Sequence, residues 1–257
     1  MCELFALSAA RPQQLNDYLE EFYMHSPSHP NGWGLAVFDG DNVQIEKEPV
    51  IAIRSRYLKE RLRVPIVANS CLAHIRYATI GKEEYRNCHP FTARDITGRQ
   101  WTLVHNGTIF NYPPLSKYTA LQNGSTDTER ILMYLIDCVN GLTRAKKHSL
   151  SEGERLSLID SLAVNLAPDN KLNFALYDGS IMYIHDNSAA SLFVLQKDDA
   201  AIFSTSPLTR EKWEPVPMTR LVAYQNGKCI YQGTDHRSLY EEKEDEMRLL
   251  YLAYSEL

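Results

Sequence analysis

Residues 1–8 read Met-Cys-Glu-Leu-Phe-Ala-Leu-Ser. Residues 2–8 predict a short strand that begins at a cysteine. Loss of Met1, the usual fate of an initiator methionine before a small residue, leaves Cys2 with a free α-amine beside its own thiol. A thiol has an ordinary pKa of about 8.5 and an α-amine about 7.7–8.0. One residue then holds a nucleophile and a base that is partly neutral near pH 7, a recognised way of activating a side-chain nucleophile. The blander reading is a cysteine at position 2 by accident, soon buried. The segments that follow decide between the two.

Downstream of this strand, residues 13–25 place Leu15, Tyr18, Leu19, Phe22 and Tyr23 on one helical face. Residues 26–34 are turn chemistry. Residues 35–38 and 43–47 form a hairpin across Asp39-Gly40-Asp41-Asn42. A short helix is expected over 57–63, a largely buried strand over 66–76, and a further strand over 101–105 that ends in Asn106-Gly107. Thr126-Asp127-Thr128-Glu129 fits a capping box. The helix it opens turns Ile131, Leu132, Leu135, Cys138 and Val139 inward and is expected to stop near Gly141. A second helix covers 152–166. After Pro168 the pattern changes to strands, at 173–177, 180–185, 191–196, 201–204, 221–225 and 228–232, with Asn226-Gly227 a strong hairpin turn. The acidic tail 238–257 is expected to be helical. Strands, then two helices, then strands do not make a parallel doubly wound sheet. They predict an α+β fold of two mostly antiparallel sheets covered by helices, as a single domain over 1–257.

Composition narrows the function classes. Hydrophobic residues make up 44% and charged residues 23%, the balance of a soluble globular chain. A net charge of −5 disfavours nonspecific nucleic-acid binding. No apolar run is long enough to span a membrane, and the N-terminus lacks the basic and apolar regions of a signal peptide. Five scattered cysteines, an odd number, suggest a reducing cytoplasm rather than a disulfide framework.

Four further segments carry chemistry. His29-Pro-Asn-Gly-Trp-Gly34 feigns a dinucleotide fingerprint, but a strand follows it and Val37 stands where the third glycine belongs. Its bland reading is a tight loop stiffened by Trp33. Ala73-His-Ile-Arg-Tyr-Ala-Thr79 puts Arg76 at the end of an apolar strand, where a buried cation needs an anionic partner. A substrate carboxylate and a structural ion pair fit equally well. His105-Asn-Gly-Thr108 offers a side-chain amide and a glycine N–H as an oxyanion hole, against the commoner Asn-Gly hairpin turn. Asp127, in a first helical turn, is favoured there by the macrodipole and is also suited to a substrate ammonium. Cys71-x-x-His74 and Cys88-His89 lack the paired-cysteine spacing of a zinc site, so no metal and no cofactor is expected.

Taken together, Met1-Cys2, Asn31-Gly-Trp-Gly34, His74-x-Arg-Tyr-Ala-Thr79 with Gly81, Asn87-Cys-His-Pro90, His105-Asn-Gly107, Gly124-Ser-x-Asp127 and, later, Ser204-Thr-Ser-Pro-Leu208 resemble the class II glutamine amidotransferase domain of the N-terminal-nucleophile hydrolases. The order matches, and the similarity spans nearly the whole chain. The resemblance implies a four-layer α/β/β/α sandwich. It implies Cys2 as nucleophile, its freed amine as base, and Asn106 and Gly107 as oxyanion hole. Arg76 would hold the α-carboxylate of glutamine and Asp127 its α-amine, with Thr79 lining the site and His74 and Trp33 counted among the substrate-binding residues. The chain resembles the small free-standing branch, whose members include hydrolases of γ-glutamyl amides in thiol metabolism. Where the synthases carry His-Arg-Gly-Pro, it has His-Pro-Asn-Gly, a change at the expected entrance to the site. The expected activity is hydrolysis of glutamine or a larger γ-glutamyl amide, with an ammonia-accepting synthetase subunit as a possible partner. A non-catalytic glutamine-binding module and a Cys/His metal protein are the competing classes.

Overall fold

The computed structural model describes residues 2–40, 42–79 and 81–242. The chain begins with β1 (Glu3–Gln14), α1 (Asn16–Met24), β2 (Trp33–Asp39), β3 (Asn42–Glu48), α2 (Arg56–Leu62) and β4 (Val67–Ile75). It continues through β5 (Phe91–Arg94), β6 (Gln100–Thr108), α3 (Asp127–Lys146) and α4 (Glu152–Leu166). The second half is β7 (Lys171–Tyr177), β8 (Met182–Asp186), β9 (Phe193–Gln196), β10 (Ala200–Ser204), β11 (Glu214–Pro215), β12 (Arg220–Gln225) and β13 (Lys228–Gln232).

One sheet runs β11-β9-β10-β1-β4-β2-β3 and the other β13-β12-β8-β7-β6-β5. Neighbouring strands in both are antiparallel. Alternation along the strands sorts the apolar side chains into three cores. Phe5, Leu7, Leu35 and Ala73 face outward and pack against Leu15, just before α1, Leu19 and Phe22 of α1, and Leu58 of α2. Leu4, Ala6, Ala36 and Leu72 face inward and meet Val104, Ala175, Met182 and Ile184 of the other sheet. Leu103, Leu172, Phe174 and Leu176 face outward again, against Ile131, Leu132 and Leu135 of α3 and Ile159, Leu162 and Leu166 of α4. The result is the expected α+β fold, a four-layer α/β/β/α sandwich.

Several boundaries differ from the expectations. β1 continues past Ser8 to Gln14 through an irregular stretch, with its register shifted between Ser8 and Gln13. Pro12, which has no N–H for a ladder, sits in that stretch. α3 runs through Gly141 to Lys146, because Val139 and Thr143 are buried and packing outweighs a glycine penalty of about 1 kcal/mol. Its cap is half of the expected box. Thr126 accepts from the Glu129 N–H, but the Glu129 carboxylate turns to the N–H groups of Asn123 and Gly124. The complete capping box belongs to Ser151 and Glu154 at the start of α4. Of the acidic tail, residues 238–242 carry no helix; 243–257, like Met1, lie outside the described residues.

Candidate active site

Cys2 immediately precedes β1, a central strand flanked by β10 and β4. Two-residue alternation with Leu4 and Ala6 aims its side chain into the gap between the sheets. The thiol is partly buried and makes two contacts with the backbone of one residue: Sγ donates to the Tyr77 carbonyl at 3.2 Å and accepts from the Tyr77 N–H at 3.3 Å. Burial pushes the thiol pKa up. The Tyr77 backbone contact and the Arg76 charge pull it down, and Asp127 pushes it up.

His74 and Arg76 occupy the same face of β4 and its continuation as Leu72. The Arg76 guanidinium is buried and donates to the carbonyls of Lys82 at 2.9 Å and Gly81 at 2.8 Å. Asn87, fully buried, donates to the same Lys82 carbonyl and ties it to Ser125, just before α3. Arg76 therefore organises the loop after β4 as well as lying beside the thiol. Thr79 reaches across to Thr108 of the other sheet, hydroxyl to hydroxyl at 3.3 Å.

The Asn106-Gly107 pair departs from the hairpin-turn reading. Both residues lie inside β6, opposite Asn173 and Leu172 of β7, and the ladder continues to Thr108. Asn106 shares the inward face with Val104 and is buried. Its Oδ1 has no hydrogen-bond partner among the described residues, so this amide is not committed at both ends to their fold. Gly107 is required by close approach: a Cβ there would overlap the Lys171 carbonyl oxygen and lie 2.5 Å from His105 Nε2. Asp127 opens α3, buried, with its carboxylate accepting from the N–H groups of Ile109 and Thr128, each at 2.9 Å.

Cys2, Arg76, Thr79, Asn106, Gly107 and Asp127 thus come from four separate segments to one end of the inter-sheet gap. His74 lies behind them, fully buried, its ring stacked on His89 at 3.9 Å. Burial holds its pKa down at about 3. Trp33 is not brought to this cluster. Its ring belongs to the outer core with Tyr23 and Tyr57, and Nε1 donates to Glu48 at 3.1 Å. The glycines around it serve a different end. A Cβ on Gly34 would overlap the His89 carbonyl, because residues 88–90 lie directly across β2. Thr128, His89 and Asn87 support the site but have no role in the sequence reading; Asn87-Cys-His-Pro90 was the available signal.

Among the described residues no group of three or more His, Cys, Asp or Glu side chains is placed to hold a metal ion. Cys71 packs in the outer core while His74 faces the other sheet, since an offset of three along a strand reverses the face. The five cysteines are all free, and no described helix is long and apolar enough to cross a membrane.

Residues 1–197 match the family described as glutamine amidotransferases class-II. The chain belongs to the class II glutamine amidotransferases. An uncharacterized protein of Methanocaldococcus jannaschii is 29% identical over 262 residues, covering 91% of this chain and 72% of its own. YafJ of Escherichia coli, named as a candidate glutamine amidotransferase, is 31% identical over 185 residues and 70% of each chain. Among solved structures, glutamine phosphoribosylpyrophosphate amidotransferase from B. subtilis superposes with a TM-score of 0.63 at 18% identity, over 89% of this chain and 48% of the other. A predicted glutamine amidotransferase from Pseudomonas aeruginosa gives 0.59 at 20% identity, over 90% of this chain and all of the other. These solved structures share the fold of this chain.

Proposed function

We propose that the protein hydrolyses the side-chain amide of glutamine, or the γ-amide of a larger γ-glutamyl compound, through a Cys2 thioester. The observation that carries this reading is the setting of the thiol. It stands at the head of a central strand, held by the Tyr77 backbone N–H and carbonyl, within the electrostatic reach of both Arg76 and Asp127. A cation and an anion flanking one nucleophile suit the carboxylate and ammonium of a free amino-acid end.

In the proposed reaction the α-amine of Cys2, freed by loss of Met1, takes the thiol proton. The sulfur forms a bond to the amide carbon, and the oxygen's developing charge is met by the Asn106 side-chain amide and the Gly107 N–H. Collapse breaks the C–N bond, and the proton leaves with the ammonia or amine. Water then attacks the thioester, releasing glutamate and restoring the thiol. Arg76 and Asp127 hold the α-carboxylate and α-amine, and Thr79 lines the site. The buried His74, held at about 3, is poorly matched to general-base work near pH 7. Ammonia released here would serve a synthetase subunit; a larger amine would make the protein an amidase in its own right.

The test is glutamate formation from glutamine and a panel of γ-glutamyl peptides, with mature protein and with Cys2→Ala. Turnover that vanishes in Cys2→Ala while glutamine still binds supports the thioester route. Undiminished turnover in that variant sinks it, and binding without turnover by the unsubstituted protein points to a sensing module.

A further inference from the structure

Three buried histidines and one threonine link the segments that supply the groups around Cys2. His74 lies two residues before Arg76, His105 immediately before Asn106, and Thr128 immediately after Asp127. His89 sits in the segment laid across Gly34. The four are between 0% and 4% exposed. Thr128 Oγ1 lies 2.9 Å from His89 Nε2 and 3.1 Å from His105 Nδ1. His105 Nε2 lies 3.3 Å from the Lys171 carbonyl, and His74 Nε2 lies 3.2 Å from the His105 carbonyl.

These contacts determine where the protons are. A carbonyl only accepts, so His105 and His74 each carry their proton on Nε2. Burial keeps the His105 ring neutral, so its Nδ1 is a bare acceptor. The one proton of the Thr128 hydroxyl must then point at His105 Nδ1. Its oxygen is left to accept, so His89 donates from Nε2. The assignment leaves two atoms over, the Nδ1 of His74 and of His89, and these are buried ring nitrogens without a partner among the described residues. Both are bare lone pairs rather than stranded N–H groups, the less costly kind of orphan. The opposite tautomer would set an Nδ1–H of His74 or of His89 against no acceptor among the described residues, and in His105 it would turn a bare Nε2 lone pair toward the Lys171 carbonyl oxygen.

We propose that Thr128 is a positioning residue, the centre of a directional chain running His89 Nε2–H to Thr128 Oγ1–H to His105 Nδ1, with His105 and His74 anchored through their own Nε2–H groups. The chain joins the start of α3 to β6, and His74 joins β6 to β4. It thereby sets Asp127, Asn106 and Arg76 relative to one another. The proposal rests on the Cys2 reaction above for the meaning of those three residues, but the proton assignment stands independently.

Long-range proton–nitrogen correlation spectra of protein carrying ¹⁵N-labelled histidine, assigned with His→Gln variants, read the tautomers directly. The expected result at pH 7 is a neutral Nε2–H ring at His74, His89 and His105. An Nδ1–H ring or an imidazolium at any of the three overturns the chain. Thr128→Val removes the hydroxyl at nearly constant volume, and Thr128→Ser restores it. In Thr128→Val the Asn106 side-chain amide resonances should move and kcat for glutamate release should fall about tenfold, with KM changed less than about threefold; Thr128→Ser should stay near wild type. Unchanged Asn106 resonances and unchanged kcat in Thr128→Val overturn the positioning role. If the unsubstituted protein releases no glutamate from any γ-glutamyl amide, the reaction proposed above fails. The tautomers and the Asn106 resonances then decide the chain on their own.

Discussion

Gly107→Ala tests the site through its tightest backbone contact. An added Cβ would overlap the Lys171 carbonyl oxygen and lie 2.8 Å from its carbon and 2.5 Å from His105 Nε2. Carbon atoms pack comfortably at about 3.5–4.0 Å, so β6 and β7 must part by about 1 Å. Lys171 is backbone in a ladder and His105 is a buried ring, so neither can swing aside as a surface side chain would. Overpacking of this kind costs about 1–3 kcal/mol, and losing the His105–Lys171 hydrogen bond adds about 1–3 kcal/mol. The expected destabilisation is therefore about 2–6 kcal/mol in urea unfolding. Asn106 moves with its neighbour, and a displacement of about 1 Å at a reacting group can cost on the order of 10²-fold in rate. Kinetics measured well below the unfolding midpoint should show that loss in kcat. Gly141→Ala is the control: it is exposed in α3, nothing lies near an added Cβ, and helix propensity should stabilise the protein by about 0.5–1 kcal/mol. A Gly107→Ala protein with wild-type stability and kcat would refute both the close-approach argument and the placement of Asn106.

Further outcomes follow from the same geometry. Asn106→Ala should lower kcat by about 10²–10³-fold with a smaller change in KM, as for one lost oxyanion donor; a rise in KM alone would make Asn106 a binding residue. Arg76→Ala and Asp127→Ala should weaken recognition of the free amino-acid end by about 2–5 kcal/mol. Comparing glutamine with an analogue lacking the α-carboxylate checks this, and equal losses on both would make Arg76 a structural residue that holds the loop through bonds such as those to Gly81 and Lys82. Protein with Met1 retained behind a short tag should be far less active than protein with Cys2 at the terminus, because an amide nitrogen has no free lone pair to accept the thiol proton; equal rates in mass-verified samples would remove the terminal amine as base. Burial holds His74 at about 3 in the folded protein, against about 6.5 in an unfolded chain. The unfolded chain therefore binds more protons between those values, and stability is lost as pH falls below about 6.5, by about 2 kcal/mol at pH 5 from this residue. Buried His185, also held at about 3, acts in the same direction, whereas Asp186, pushed up to about 6 by burial, opposes it. Urea midpoints of wild type and His74→Asn from pH 7.5 to 5 should diverge in slope, and parallel slopes would refute the neutral, buried imidazole.

Much of the architecture was legible because the relevant signals are local. A period of two or of 3.6 residues is carried by neighbours in the chain, so the strand at 2–8, the hairpin after Trp33 and the helix at 152–166 declared themselves. So did the chemistry of the motifs, since a thiol at position 2 or an Arg ending an apolar strand is a property of residue type. The remainder depended on partners distant in sequence. Asn106-Gly107 has the composition of a turn, yet it is strand because Asn173 and Leu172 pair with it from β7. Trp33 sits among site motifs but turns to the outer core, a matter of which face of β2 meets α1. Thr128 looked like a helix-start residue; only the arrival of His89 and His105 from 39 and 23 residues away makes it the link between three segments. The sequence by itself determined which groups this protein owns and the periodicity of the elements that carry them. Which of those groups meet, and where the protons between them lie, was decided by tertiary structure, because a hydrogen bond depends on distance and direction that sequence spacing does not encode.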